Sequence, residues 1–201
     1  MLMFLLSKRL SPLLCALALV TAAGVGGCSS STALTGEKLD PVTSATISYS
    51  EQPLVFYRDV SGRAALAKDF VYMAPVAVNR GGNYRYYIWL GIWTIAGEAA
   101  PDATRDGFES ILLIADGEPL QLEITGWTVD AIGASEPVYS KPVASAADAY
   151  YELTLNQLRP LAEADHLRLH IGGSGSDRFE PWDDQRRGKA AMLEFIDGPT
   201  Y

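Results

Sequence analysis

The chain has 201 residues and a formal net charge of −8, with 24 acidic side chains against 16 Lys and Arg. An acidic surface of this kind is repelled by phosphate, which excludes non-specific nucleic-acid binding and polybasic adhesion to anionic lipid. Its two cysteines, Cys15 and Cys28, lie close to the N-terminus, so the remainder has no disulfide framework and no thiolate chemistry.

The N-terminus carries Lys8 and Arg9, then the apolar run Leu13–Val20, then small residues up to Gly27. A basic start, a short apolar core and small residues form the layout of a secretory signal. The basic end stays cytoplasmic while the apolar run enters the bilayer. Val25, Gly26, Gly27 and Cys28 follow, an aliphatic residue three before the cysteine and a small one directly before it. This stretch resembles the lipobox of bacterial lipoproteins. The resemblance covers the first 28 residues or so and implies cleavage after Gly27, a diacylglycerol thioether on Cys28 and acylation (palmitate) of the new amino group. Ser29 stands after the cysteine instead of Asp, which implies export to the outer membrane. The alternative is an uncleaved anchor, but residues 10–27 contain three glycines and fall short of the ~20 apolar residues a span needs. Loss of Lys8 and Arg9 takes the formal charge to −10, because every acidic residue lies downstream.

Three parts are expected: a signal peptide over 1–27, a lipidated flexible linker over 28–42, and a single domain over 43–201. The linker is small and polar from Ser29 to Val42. Beyond it the pattern is mainly strand. Thr43–Tyr49 alternates, and Leu54–Tyr57 is a second short strand. Val60–Lys68 includes a helical turn around Ala64. Phe70–Val78 and Tyr84–Ile95 flank Asn79–Asn83, whose Gly81 and Gly82 mark a hairpin. Ile111–Ala115 and Pro119–Gly126 flank a second turn at Asp116–Glu118. Tyr150–Leu155 and His166–Ile171 are strands on either side of a short helical segment, Asn156–Ala164. Gly188–Ile196 reads equally as strand or helix. Seven to nine short strands with hairpins predict a mainly β fold, an antiparallel β-sandwich with one or two short helices.

The densest feature is the aromatic strand. Tyr84, Tyr86, Ile88, Leu90 and Ile92 share one face; Arg85, Tyr87, Trp89, Gly91 and Trp93 share the other. Tyr87, Trp89 and Trp93 thus form a stripe with a gap at Gly91, and they are the expected binding residues. Two readings stand: a central strand buried on both faces, or an exposed aromatic platform that stacks on sugar rings or anchors a protein.

No residue set earns a catalytic, metal or cofactor assignment. His166 and His170 are four apart on a strand, about 13 Å from each other, too far to share one zinc ion. The Gly172–Asp177 segment lacks the last glycine of G-x-S-x-G and the lysine of a phosphate loop, and reads as a flexible turn. Glu180, Asp183 and Asp184 lie among arginines and read as solvated charge pairs. Asp102, Asp106 and Glu109 lack the spacing of a calcium loop. The expected function is therefore a membrane-anchored envelope lipoprotein with a non-catalytic β domain that binds or supports another envelope component, at the outer membrane and facing periplasm or cell surface. The alternative is a glycan-binding module or hydrolase acting on envelope polysaccharide or peptidoglycan. A partner is expected among envelope proteins or glycans, and none among nucleic acids.

Overall fold

Two long strands, β4 (Lys68–Arg80) and β5 (Asn83–Thr94), organise the fold. They pair along their whole length and are joined by Gly81 and Gly82, both at positive φ, as the tight turn requires. The computed structural model describes residues 33–60, 68–95, 105–172 and 177–198. Around this hairpin lie β1 (Thr35–Leu39), β2 (Thr46–Ser50), β3 (Leu54–Asp59), β6 (Ser110–Ala115), β7 (Glu118–Gly126), β8 (Ala147–Leu153), β9 (Leu167–Ile171) and β10 (Asp177–Pro181). Helix α1 spans Leu155–Glu163 and α2 spans Arg186–Asp197.

The sheet closes. β3 pairs with β4, β4 with β5, β5 with β8, β8 with β7, β7 with β6, β6 with β9, β9 with β10, and β10 returns to β3, all antiparallel. The expected open sandwich is thus corrected to a closed eight-stranded antiparallel β-barrel. The closing strand is β10, where Glu180 and Pro181 face Tyr57 and Phe56. It is five residues long, and Phe179 is its one fully buried side chain. A segment so short and polar shows no alternation, so the sequence does not disclose the strand that closes the ring. Of the expected helical turn at Ala64, residues 61–67 lie outside the described residues, as do residues 173–176 of the expected Gly/Ser turn.

β4 is longer than the barrel needs. Its first half, Lys68–Met73, pairs with β3, and on the same edge Val76–Asn79 pairs with β2. Ala74 and Pro75 fall in the gap between the two partners, where a residue without N–H costs no ladder bond. β1 then adds to β2. The expected linker therefore ends earlier than residue 42: Thr35–Leu39 is a strand, and the compact unit begins at Ala33. Gly36, Glu37 and Lys38 give no apolar alternation, because this edge strand is held through its backbone.

The barrel is filled. Leu54, Phe56, Val71, Met73, Ile88, Leu90, Ile111, Leu113, Leu122, Tyr151, Leu167, Leu169 and Phe179 interlock in one core. Each such burial contributes roughly 1.5–3 kcal/mol. Helices α1 and α2 stopper one end with Leu158, Leu161 and Met192. At the other end Arg58 reaches over the Phe179 ring and pairs with Asp69 at 2.9 Å and Asp177 at 3.2 Å. Where the barrel's outer face is uncovered, along β7, β10 and the end of β8, it is polar and exposed, as at Gln121, Glu123, Glu152, Arg178 and Glu180. This is the reverse of a membrane barrel, whose apolar band faces lipid. Among the described residues no helix is long and apolar enough to cross a membrane.

A second core lies outside the barrel. Residues 127–146, including a 3-10 turn at Val129–Ile132, strap across the outer faces of β4, β5 and β8. Ile132, Ala134 and Val138 pack there on Val76, Val78, Tyr87, Trp89 and Tyr150, with Ile47 of β2 beside them.

Candidate functional site

Cys28 lies outside the described residues. The aromatic stripe divides in two. Tyr87 and Trp89 are buried beneath the strap, at 0% and 2% exposure, and form no platform. The Trp89 indole stacks on Tyr139 at 4.1 Å, and its Nε1 donates to Asp148 at 2.9 Å. The gap at Gly91 is filled by Trp89 itself: a Cβ at Gly91 would lie 2.6 Å from the indole carbons Cη2 and Cζ2. Trp93 is half-buried in another cluster, stacked on Phe70 at 4.6 Å and edge-on to Tyr72. Its buried Nε1 has no hydrogen-bond partner among the described residues. Sequence alternation places these residues on one face correctly, but it cannot show what covers that face.

His166 is exposed just before β9, while Leu167, Leu169 and Ile171 point inward, with Arg168 and His170 between them. Among the described residues no group of three or more His, Cys, Asp or Glu is arranged to hold a metal. Asp102 lies outside the described residues, and Asp106 and Glu109 are exposed.

Glu180, Asp183 and Asp184 line an acidic groove of about 610 Å³ beside Asp116, Asp165 and His166. Its acids are largely occupied with local structure. Asp116 accepts from the backbone N–H of His166 at 2.7 Å and of Asp165 at 3.0 Å, and these bonds hold its carboxyl below the usual range. Asp184 accepts from Arg186 Nε at 2.6 Å and from its backbone at 3.2 Å, with the same effect. Asp183 accepts from the Gln185 N–H at 2.9 Å. Lys189 donates to the carbonyl of Ala164 at 2.6 Å, just beyond the end of α1. These contacts fix turns and helix ends.

A different cleft, of about 450 Å³, opens beside the stoppered end of the barrel. Inner-face parity puts Val71, Met73, Ile88 and Leu90 inside the barrel. The same parity carries Ala77, Tyr84 and Tyr86 onto a face that continues the barrel wall beyond the ring. β2 and β1 extend that wall with Ser48 and Glu37, which pair across it, and the C-terminal part of α2 stands opposite with Glu194. Tyr84 is 56% exposed. Its ring lies 13° from parallel with that of Tyr86, centroids 6.2 Å apart. Burial and the neighbouring Tyr84 raise the Tyr86 phenol, so it remains a neutral hydroxyl at physiological pH. The Thr35 hydroxyl donates to Glu194 at 3.1 Å and the Ser48 hydroxyl to Glu37 at 3.3 Å. A second hollow of about 340 Å³ shares the two tyrosines and Leu155, and is bordered by Arg85 bound to Glu152.

The arrangement offers aromatic surface, hydroxyls and carboxylate acceptors in a concave space, the composition of a ligand site. Sequence reasoning placed Tyr84 and Tyr86 together on one face but passed over them. The signal that separates them from Tyr87 and Trp89 is period two, with Tyr86 at the rim of the ring opposite Leu153 and Tyr84 beyond it next to the turn. Comparison with protein-family models, curated proteins and solved structures gives no match to this chain.

Proposed function

We propose that the chain is an envelope lipoprotein, anchored through Cys28 in the outer membrane, whose barrel is a non-catalytic domain that binds or supports another envelope component. The observation that carries this reading is the leader: two basic residues, an apolar run, and Val25–Cys28 in lipobox order. On this reading the position of β1 sets the tether length. Thr35 is seven residues beyond Cys28, a contour of at most about 25 Å, which keeps an anchored barrel close to the bilayer surface. With two or more acyl chains, at about 0.8 kcal/mol per buried CH₂, such an anchor holds firmly where one chain holds marginally. Among the described residues the interior is filled by packed side chains, which directs binding to the outer surface.

The test is metabolic labelling with an alkyne fatty acid, followed by fractionation of wild type and the Cys28→Ser variant. The expected result is a labelled, cleaved wild-type protein in the membrane fraction and an unlabelled variant that is not processed at Gly27. An unlabelled wild type, or equal membrane retention of both at full precursor length, overturns the reading. Cross-linking in intact cells then identifies the component that the barrel contacts.

A further inference from the structure

We infer that the cleft beside Tyr84 and Tyr86 is a binding subsite for a neutral saccharide, taking a pyranose unit against the Tyr84 ring. This deepens the reading of the barrel as an envelope-binding domain, and its chemistry is independent of the lipid anchor. A pyranose presents an apolar C–H face and a rim of hydroxyls. The first needs an aromatic surface, and the second needs strong hydrogen-bond acceptors. Both are present. Tyr84 gives a half-exposed ring, braced by the near-parallel Tyr86 behind it. Glu37 and Glu194 each receive one hydroxyl from within the protein, from Ser48 and Thr35. Neither has a cationic partner among the described residues, unlike Glu152, Asp184 and Asp197, which pair with arginines. Carboxylate oxygens left over from these contacts accept sugar hydroxyls, with strong O–H···O⁻ geometry.

Charge decides which saccharide. Two unpaired carboxylates repel phosphate, sulfate and uronate groups, so an anionic sugar is rejected and a neutral one is retained. Size decides how much of it. The 450 Å³ cleft falls in the range of small-molecule sites. The 340 Å³ hollow on the other side of the tyrosines gives a second unit somewhere to go. An oligomer crossing Tyr84 is therefore the fitting ligand.

The experiment uses the full lipidated chain in a zwitterionic detergent that has no sugar headgroup. Cellotriose and chitotriose are titrated by calorimetry and by saturation-transfer NMR, with trigalacturonate as the anionic comparison and trilysine as the peptide comparison. The neutral trisaccharides bind, with the strongest transfer to ring C–H protons, and trigalacturonate binds at least about tenfold more weakly. Tyr84→Ala and, separately, Glu194→Gln each weaken binding about tenfold while the far-UV spectrum and melting point stay close to wild type. No neutral trisaccharide binding at about 10 mM overturns the inference. So does binding that both substitutions leave unchanged, and so does trilysine binding without saccharide binding, which marks a site for cationic peptide. None of these outcomes alters fatty-acid labelling of Cys28, so failure here is separable from failure of the anchor.

Discussion

Trp89 and Asp148 are joined across neighbouring strands, the indole Nε1 of β5 donating to the carboxylate of β8 at 2.9 Å. Asp148 also faces Lys141 of the strap at 3.6 Å, and the Trp89 ring lies against Tyr139 of the strap at 4.1 Å. Tyr139 in turn donates to the Pro75 carbonyl at 3.2 Å, in the gap where β4 exchanges β3 for β2. One tryptophan thus fastens the outer core to the barrel wall.

Trp89→Phe keeps an aromatic ring under the strap but removes the donor. A hydrogen bond to a charged acceptor contributes about 1.5–3 kcal/mol, and Asp148 retains Lys141, so the cost should fall in that range. Urea unfolding should show a lower midpoint with an unchanged slope. A midpoint equal to wild type would mean that the Asp148 contact contributes nothing.

Gly91→Ala should be worse tolerated than a glycine in a strand usually is, since alanine there normally gains stability. The new Cβ would meet the Trp89 indole at 2.6 Å, and the indole is pinned by both Tyr139 and Asp148. Overpacking of this kind costs roughly 1–3 kcal/mol. The clash disappears when the indole does, so Gly91→Ala and Trp89→Leu together should cost less than the sum of the two. Additive costs in a double-mutant cycle would disprove the close approach.

Much of the barrel is legible from pattern alone. The β4–β5 and β6–β7 hairpins, β9 and α1 follow from turn residues and period. Ring closure is not legible, because it depends on β10, where a single inward phenylalanine stands among Asp, Arg, Glu and Pro. β1 is missed for the same reason. α2 is ambiguous because Lys189–Leu193 suits both periods until its buried Met192 meets the barrel end. The candidate cleft shows the deeper limit. Period two sorts Tyr84 and Tyr86 from Tyr87 and Trp89, but the bare face is decided by the strap, which crosses from a distant part of the chain.

Phe179 is the inward anchor of the closing strand, fully buried against Phe108 at 5.9 Å between ring centroids. Phe179→Ala should cost about 3–5 kcal/mol through the lost burial and the cavity it leaves. The loss should be local in hydrogen exchange, with the β9–β10–β3 seam exchanging faster and the β4–β5 pairing largely protected. Uniform deprotection across the barrel would show instead that closure and core form one cooperative unit.

Asp40 should set the acid limb of stability. It is 1% exposed at the turn between β1 and β2. Its carboxylate accepts from the Ser135 N–H at 2.6 Å and hydroxyl at 2.8 Å, and from the Thr43 N–H at 2.8 Å and hydroxyl at 2.9 Å. Burial pushes this carboxyl up, but the Ser135 and Thr43 bonds outweigh it and hold it well below the usual carboxylate range. The unfolded chain therefore binds this proton first as pH falls. The contribution is complete above an unfolded value of about 3.9 and is lost as pH drops through the lower folded value. Asp40→Asn should be destabilised at pH 7, and its deficit against wild type should shrink steadily below about pH 4. Ser135→Ala should show the same trend more weakly, because Thr43 remains. Thermal melts of the three proteins between pH 2 and 7 decide the matter: a deficit constant with pH would mean that the turn is held by shape alone, and one that grows on acidification would reverse the sign of the linkage.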